Sequence, residues 1–260
     1  MEAAHGTPLL DCFRRGDVPR DVRMLAAQGG LAPRATEQVA LLVHLSGDAD
    51  AEVSQTARET IDGLPPEPLS ALLARNEIGD DVRAFFAARG IQPTAAAPES
   101  GLSDEAPLLD RDGAEPAPEG GDEKARVPLS SLAVPARLKV AMKGTREQRA
   151  VLIRDPNKII SAAVLSSPKL SDTEVEAFAR MTNVSDEVLR VIGTTRGWVR
   201  KQAVAVALVK NPKTPPGISM SLLPRMTTRD VKMLTTDRNV PEALRLAARK
   251  LAANQEARKQ

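Results

Sequence analysis

Apolar residues in the first ninety positions recur every three or four residues, which is the period of an α-helix. Val53, Ala57 and Ile61 form one such stripe and predict a helix over residues 51–61. Similar stripes bounded by proline or glycine predict three further helices, over residues 33–45, 67–75 and 80–89. The pattern therefore indicates short helices joined by Pro/Gly turns.

The C-terminal half repeats itself with a period of 41 residues. Asp155 and Asn157 recur two periods later as Asp237 and Asn239. An apolar frame keeps the same register: Val151, Ile192, Met233; Ala162, Ala203, Leu244; and Leu165, Val206, Ala247. Three copies in one register predict a tandem array, because repeats of this length bury a continuous core between neighbours.

Polar residues at predicted helix starts agree with this division. Thr145 with Gln148, and Ser171 with Glu174, have the spacing of capping boxes, in which each side chain accepts a hydrogen bond from the other residue's backbone N–H. Ser185 precedes two carboxylates and predicts a third helix start.

The stretch RGWVRKQAVAVALVKNPKTPPG, residues 196–217, allows two interpretations. Its AVAVAL run alternates as a β-strand would, whereas Val199, Ala203 and Ala207 lie four apart on one helical stripe. The charged run at 200–202 and the 41-residue recurrence favour a helix, the second of two in a repeat unit. NPKTPP is then the turn to the next unit.

Three phrases of this half resemble HEAT-like repeats: RDPNKIISAAVLSSPKLSDTEV, RGWVRKQAVAVALVKNPKTPPGIS and DRNVPEALRLAARKLAAN. They are most similar to the bacterial leucine-rich-repeat variant, with units of the form D-P-x-x-V-R-x-A-(V/A)-A-x-N-P-x-T-P. The resemblance covers about residues 136–254 and extends more faintly to 33–90. It implies an all-α fold, an α-solenoid, and specifies no activity.

The amino-acid composition limits the kind of core, the cysteine chemistry and the cellular location that we expect. Aromatic residues make up 2% of the chain, so the core is predicted to consist of small aliphatic side chains in closely packed helices. The single cysteine, Cys12, excludes an internal disulfide and the cysteine cluster that holds iron and sulfur in one variant-family member. No signal-like or membrane-spanning apolar run occurs, which predicts a cytoplasmic protein.

Charge divides the chain into opposite halves. Residues 1–125 carry 11 Lys/Arg against 23 Asp/Glu, and residues 126–260 carry 25 against 11. Residues 93–125 hold five prolines, four glycines and nine acidic residues, a composition typical of disorder. We therefore predict an acidic helical-repeat domain over 1–92, a disordered acidic linker over 93–125, and a basic HEAT-like domain over 126–260.

Candidate catalytic groups are few. His5 and His44 lie far apart without metal-ligand spacing, and no activating base accompanies Cys12. One enzymatic precedent on HEAT-like scaffolds, the alkylpurine DNA glycosylases, stacks its lesion on several aromatics, whereas this half holds only Trp198 and Phe178. We expect no catalytic residue, cofactor or metal, and a protein that is not an enzyme.

Basic residues recur in each repeat and could align into one column of a stacked array. With the single tryptophan they form the candidate partner-binding set, named the basic set below: Arg196, Trp198, Arg200, Lys201, Arg238, Arg245, Arg249 and Lys250. These cations either form a solvated outer surface or bind an acidic partner. Trp198 either covers the groove between repeats or anchors a partner.

The functional expectation is a non-enzymatic scaffold for protein–protein interaction, whose basic half binds an acidic protein surface. The alternative is a nucleic-acid-binding protein that contacts phosphates non-specifically through the same face. The acidic linker could screen the basic half from either partner. No membrane association is expected, and the sequence gives no indication of the oligomeric state.

Overall fold

The computed structural model describes residues 7–32, 34–94, 107–109 and 129–257. These residues contain sixteen α-helices, two short 3-10 helices and no strand. The α-helices are α1 (Pro8–Arg15), α2 (Arg20–Ala27), α3 (Ala35–Leu45), α4 (Ala51–Asp62), α5 (Pro66–Leu73), α6 (Asp80–Ala87), α7 (Val134–Lys143), α8 (Arg146–Leu152), α9 (Lys158–Ser166), α10 (Asp172–Arg180), α11 (Asp186–Thr194), α12 (Arg196–Val199), α13 (Gln202–Lys210), α14 (Pro216–Leu222), α15 (Thr228–Leu234) and α16 (Glu242–Ala257). The 3-10 helices span Leu129–Ser131 and Leu223–Arg225.

The prediction of an all-α fold is confirmed for these residues. The four helices expected in the first ninety positions are α3 to α6, each within two residues of its predicted limits. The stripe of Val53, Ala57 and Ile61 is buried on α4. Helices α1 and α2 were not predicted from the sequence, and the predicted linker lies outside the described residues except at 93–94 and 107–109.

The stretch at 196–217 is helical, so the strand interpretation is excluded. It does not form one helix, however, because the backbone of Lys201 is extended, with φ −75° and ψ 117°. The short α12 ends at Val199, and α13 begins at Gln202. Arg200 and Lys201 lie at this break, and both residues are exposed.

The chain folds into two compact units. The first comprises Met1–Arg149 and Ala162–Lys169, and the second comprises Ala150–Ser161 and Leu170–Gln260. These limits do not coincide with the predicted domains 1–92 and 126–260, because α7 packs against α2. The backbone N–H of Leu9 also donates to the Ser166 hydroxyl at 3.1 Å, within the first unit.

In the first unit, α3 is the central element. It contacts α1, α2, α4 and α6. Its residues Val39, Leu41, Leu42 and Leu45 are at most 1% exposed. The start of α2 is joined to the start of α4, where Arg20 donates to the carboxylate of Asp50 at 2.7 Å. Asp50 also caps α4, and the Arg20 guanidinium lowers its pKa.

In the second unit, residues 171–211, one sequence period, contain three helices of nine residues each rather than the expected two. These are α10, α11 and α13, with the short α12 between α11 and α13. The additional helix arises because Ser171 and Ser185 each begin a helix of their own before the AVAVAL segment. Contacts run from α10 to α13, from α13 to α14, and from α14 to α16.

The predicted helix starts are confirmed in atomic detail. At Ser171 the backbone N–H donates to the Glu174 carboxylate at 3.0 Å, and the Glu174 N–H donates to the Ser171 hydroxyl at 3.4 Å. Thr145 and Gln148 form the same reciprocal pair, at 2.8 and 3.4 Å. The Ser185 hydroxyl accepts from the N–H of Val188.

Positions that are equivalent in the 41-residue repeat are not all buried. Ile192 is fully buried, whereas Val151 is 52% exposed and Met233 is 50% exposed at the equivalent positions. Ala203 is likewise exposed. An equal spacing along the chain therefore does not give equal burial, because burial is set by the elements that pack over each position.

The recurring Asp-x-Asn does share one structure. The Asn157 N–H donates to the Asp155 carboxylate at 2.8 Å, and the Asn239 N–H donates to the Asp237 carboxylate at 2.9 Å. Both are Asx turns, in which the Asp side chain accepts a hydrogen bond from the backbone N–H two residues later. The sequence repeat therefore marks the same turn before α9 and before α16.

Candidate binding surface of the second unit

All eight members of the basic set belong to the second compact unit. Arg196 and Trp198 lie in α12, and Arg200 and Lys201 form the break before α13. Arg238 lies in the turn before α16. Three more cations, Arg245, Arg249 and Lys250, lie in α16 itself. The set therefore forms an α12 group and an α16 group.

The α12 group is held by one buried anchor. Val199 is 8% exposed, and α12 packs against α11 and α13. With Val199 directed inward, Arg196 and Arg200 are exposed, and Trp198 is half-buried. The indole therefore has one part packed on the unit and another part open to solvent, so both of its interpretations remain compatible with its position.

Lys201 is already paired. Its ammonium lies 2.7 Å from the carboxylate of Asp172, at the start of α10, and both side chains are about half exposed, at 54% and 55%. An exposed pair of this kind contributes little to stability, typically about 0–1 kcal/mol. It does lower the net positive charge of the α12 group, which leaves Arg196 and Arg200 as its main cations.

The α16 group lies on a helix with a narrow buried stripe. Leu244 and Ala248 are 3% and 0% exposed and lie one turn apart, facing the unit. The opposite side of the helix carries Leu246, Arg249 and Lys250, because positions three and four apart share one face. Leu246 is 47% exposed. This outward face therefore combines an aliphatic side chain with two cations.

Leu246 was not predicted as a site residue. In EALRLAARKLAAN it lies two positions after the buried Leu244, which places it off the helical stripe. A large apolar residue off the stripe of an amphipathic helix is the sequence signal that could have identified it. Met220 and Met233, which are 41% and 50% exposed, are further apolar side chains on the surface of this unit.

The remaining α16 cations have different surroundings. Arg245 is half-buried beside the stripe, and Arg238 is exposed in the preceding turn. The Arg249 guanidinium donates from Nε to the carbonyl of Thr235 at 3.4 Å, at the end of α15. Arg249 thus also satisfies a helix-terminal carbonyl that has no partner within its own helix.

The two groups are not adjacent along one element. The α12 group is attached to α13 and the α16 group to α16, and both helices contact α14. The structure therefore brings the predicted cations together in two places of the same unit. Whether they act as one column, as the repeat argument predicts, stays a prediction.

The candidate catalytic groups that the structure describes belong to the first unit. His44 is exposed, with Nε2 3.3 Å from the carbonyl of Phe13, and Cys12 is a buried thiol in α1. Within the described residues there is no group of three or more His, Cys, Asp or Glu placed to hold a metal ion. His5 lies outside the described residues.

Comparisons with protein-family models, with curated proteins and with solved structures find no match to this chain. The resemblance to HEAT-like repeats and to the leucine-rich-repeat variant therefore stays a prediction. Among the described helices, none is both long enough and apolar enough to cross a membrane.

Proposed function

We propose that this chain is a non-enzymatic scaffold for protein–protein interaction, built as a HEAT-like solenoid, whose basic set binds an acidic partner surface. The consecutive helix packing of the second unit supports a solenoid, since stacked repeats contact only their neighbours. A rigid array of this kind presents an extended surface and loses little conformational freedom on binding.

One observation favours a protein partner over a nucleic acid. The outward face of α16 places the exposed Leu246 within one helical turn of Arg249 and Lys250. An aliphatic side chain gains free energy only by removal from water, which a partner with apolar groups provides. A partner that presents carboxylates around an apolar centre fits this face better than a sugar–phosphate backbone does.

The alternative of phosphate binding has its own support. Arg196 and Arg200 are exposed on both sides of the half-buried Trp198, and the half of the chain that contains them carries 25 Lys/Arg against 11 Asp/Glu. Such an excess is typical of surfaces that bind the phosphates of a polyanion, with an affinity that falls as salt rises. This function remains the second candidate.

The proposal is tested by tagged full-length chain used as bait, with quantitative mass spectrometry of what it retains. The full chain is needed because a fragment that begins at residue 126 would separate α7 from the α2 helix it packs on. Reversal of the α16 cations in Arg249→Glu/Lys250→Glu should remove the specific partner. Leu246→Ser, which changes no charge, should remove the same partner.

The matched control reverses two cations of the same unit outside the basic set, as Arg154→Glu/Lys158→Glu. Both residues are exposed, so the net charge changes equally at a different place. The control should retain the partner, and circular dichroism should show unchanged helix content in all three variants. Retention of every partner by Arg249→Glu/Lys250→Glu and by Leu246→Ser would contradict the proposal.

A further inference from the structure

The side chain of Gln38, on α3 of the first unit, is almost completely buried, with 1% of the residue exposed. Its amide oxygen accepts from the backbone N–H of Leu109 at 3.0 Å. Its amide nitrogen donates to the carbonyl of the same Leu109 at 2.8 Å, and to the carbonyl of Gly29 at 3.0 Å. Gln38 therefore pairs with both main-chain groups of one residue, as a neighbouring β-strand would.

The contact between Gln38 and Leu109 lies against Gly29, a position that requires a glycine. Gly29, just after α2, has a φ of +82°, a conformation that side chains with a Cβ rarely adopt. A Cβ on Gly29 would lie 3.4 Å from the Gln38 amide nitrogen and 4.0 Å from the Cβ of Leu109. The open side of Gly29 is thus where Leu109 approaches, with its Cβ as the nearest atom.

Thr60 of α4 forms another side of the same site. It is 1% exposed, and its methyl group is 3.5 Å from the Cβ position of Gly29. Its hydroxyl oxygen is buried without a hydrogen-bond partner among the described atoms. Thr60 thus adds a buried hydroxyl next to Gly29, and buried polar groups of this kind normally take a hydrogen-bond partner.

The docked residues belong to the segment whose composition predicts disorder. Pro107, Leu108 and Leu109 are half-buried, and they form neither helix nor strand. Their amino acids are uncharged, within a stretch that carries nine acidic residues. The contact therefore involves an aliphatic tripeptide of this stretch, which is held through the backbone of Leu109.

We propose that the junction of α2, α3 and α4 around Gln38 is a docking site for an extended aliphatic peptide, and that Pro107–Leu109 of this chain is its resident ligand. Recognition uses the main chain of one residue, together with burial of the flanking aliphatic side chains, as in other modes that bind extended peptides. The site anchors the acidic segment to the first unit. Because this ligand is part of the chain, it competes with any free peptide as an intramolecular binder.

The test uses a fluorescein-labelled peptide of residues 103–111 as the probe, measured by anisotropy against full-length chain. In the variant Leu108→Ser/Leu109→Ser the resident ligand loses its aliphatic groups and the site becomes available. This variant should bind the probe at least tenfold more tightly than the wild-type chain, whose site is filled. Equal affinity for the two chains would overturn the proposal.

Two further changes, one in the protein and one in the peptide, test the hydrogen bonds between Gln38 and Leu109. Addition of Gln38→Ala to the opened variant should weaken binding at least tenfold, whereas the matched control Gln55→Ala, a glutamine on the exposed side of α4, should not. A probe methylated on the nitrogen equivalent to Leu109 lacks the donor to Gln38 and should also lose at least tenfold. Binding that is unaffected by both changes would overturn the proposal.

A measurement on the wild-type chain does not depend on how any variant folds. The Leu109 amide should exchange with deuterium at least tenfold more slowly in the full chain than in the free peptide, because it donates to a buried acceptor. Exchange at the free-peptide rate would mean that the segment is not docked.

Discussion

Glu37 places a carboxyl group inside the first unit, next to Gln38 on α3. The residue is 3% exposed, and one of its oxygens accepts from the hydroxyl of Thr7, which also caps α1. Its other oxygen is buried with no hydrogen-bond partner among the described atoms. Burial raises the pKa of Glu37 to about 7, although Thr7 and the charge of Arg34 act in the opposite direction. The group is therefore protonated in the folded chain at mildly acidic pH.

This pKa predicts a stability that falls as the pH rises. Between the usual value of 4.5 and about 7, the folded state holds a proton that the unfolded state has released. The favourable contribution of Glu37 to the free energy of unfolding is fully present below pH 4.5. It is lost as the pH rises through 7, and the total loss is on the order of 3 kcal/mol. Urea unfolding at pH 5 and pH 8 measures it.

The variant Glu37→Gln keeps the shape and removes the titration. It should show a smaller loss of unfolding free energy between pH 5 and pH 8 than the wild-type chain. The control Glu77→Gln changes an exposed carboxyl of the same unit and should keep the wild-type difference. An equal pH dependence in Glu37→Gln and wild type would show that Glu37 does not titrate in this range.

Asn211 shows how a single residue joins two elements. It is 3% exposed, and its amide donates to the carbonyls of Ala179 and Met181 at 2.8 Å each. Its oxygen accepts from the backbone N–H of Lys213 and forms the turn after α13. The end of α13 is thereby fixed to the end of α10, which explains why an Asn-Pro ends this helix.

At the scale of elements, Gly193 determines how closely α11 approaches α14. A Cβ added to Gly193 would lie 2.5 Å from one methyl group of Ile218 and 3.1 Å from another. Both helices belong to the second unit and are in contact. The absence of a side chain on Gly193 therefore allows this close packing of α11 against α14.

Gly197 provides a matched comparison, since a Cβ there would meet nothing within 4 Å. Replacement of a helical glycine by alanine is favourable by up to about 1 kcal/mol where there is space. Insertion of a methyl group into a packed interface is unfavourable by about 1–3 kcal/mol. Gly193→Ala should therefore have a lower free energy of unfolding than Gly197→Ala, by about 1–3 kcal/mol, in parallel urea titrations.

A reversed order of the two variants would count against close stacking of α11 on α14. Equal stability of the two variants would also count against this close packing. Both glycines are in helices, so the gain in helix propensity on replacement by alanine is common to the two variants. Far-ultraviolet circular dichroism of the folded variants should be identical, which confirms that the difference arises from packing and not from loss of a helix.

At the scale of the whole molecule, the division of charge decides between the two candidate functions. The basic half carries 14 more positive than negative residues, and the first 125 residues carry 12 more negative than positive. A polyanion gains affinity from release of its counterions, so its binding depends steeply on salt. A protein partner that also buries Leu246 keeps an apolar contribution that salt does not screen.

A salt titration therefore separates the candidates. For a fluorescent duplex DNA or single-stranded RNA, the scaffold function predicts no sequence-independent binding to the full chain even at about 50 mM salt. The alternative predicts binding whose affinity falls about 10³–10⁵-fold between 50 and 200 mM salt if about six to ten phosphates are contacted. Arg196→Glu/Arg200→Glu should then abolish it, and Arg154→Glu/Lys158→Glu should not.

Local chemistry made much of the helical layout predictable. The limits of α3 to α6 follow from apolar stripes that end at proline or glycine, and the starts of α10 and α11 follow from Ser171 and Ser185. Each of these signals acts within about four residues along the chain, which is the reach of a helical hydrogen bond. The cations of the basic set were also predictable as exposed, apart from the half-buried Arg245.

The sequence by itself therefore determined the limits of α3 to α6, the starts of α8, α10 and α11, and which half carries positive charge. Only the tertiary structure decided that α7 belongs with α2, that Met233 is exposed where Ile192 is buried, and that Gln38 holds Leu109. These outcomes depend on residues far apart in the chain; Gln38 and Leu109 are 71 positions apart. Burial of a side chain is decided by the helix that packs over it, and a pattern along one helix does not specify which helix that is.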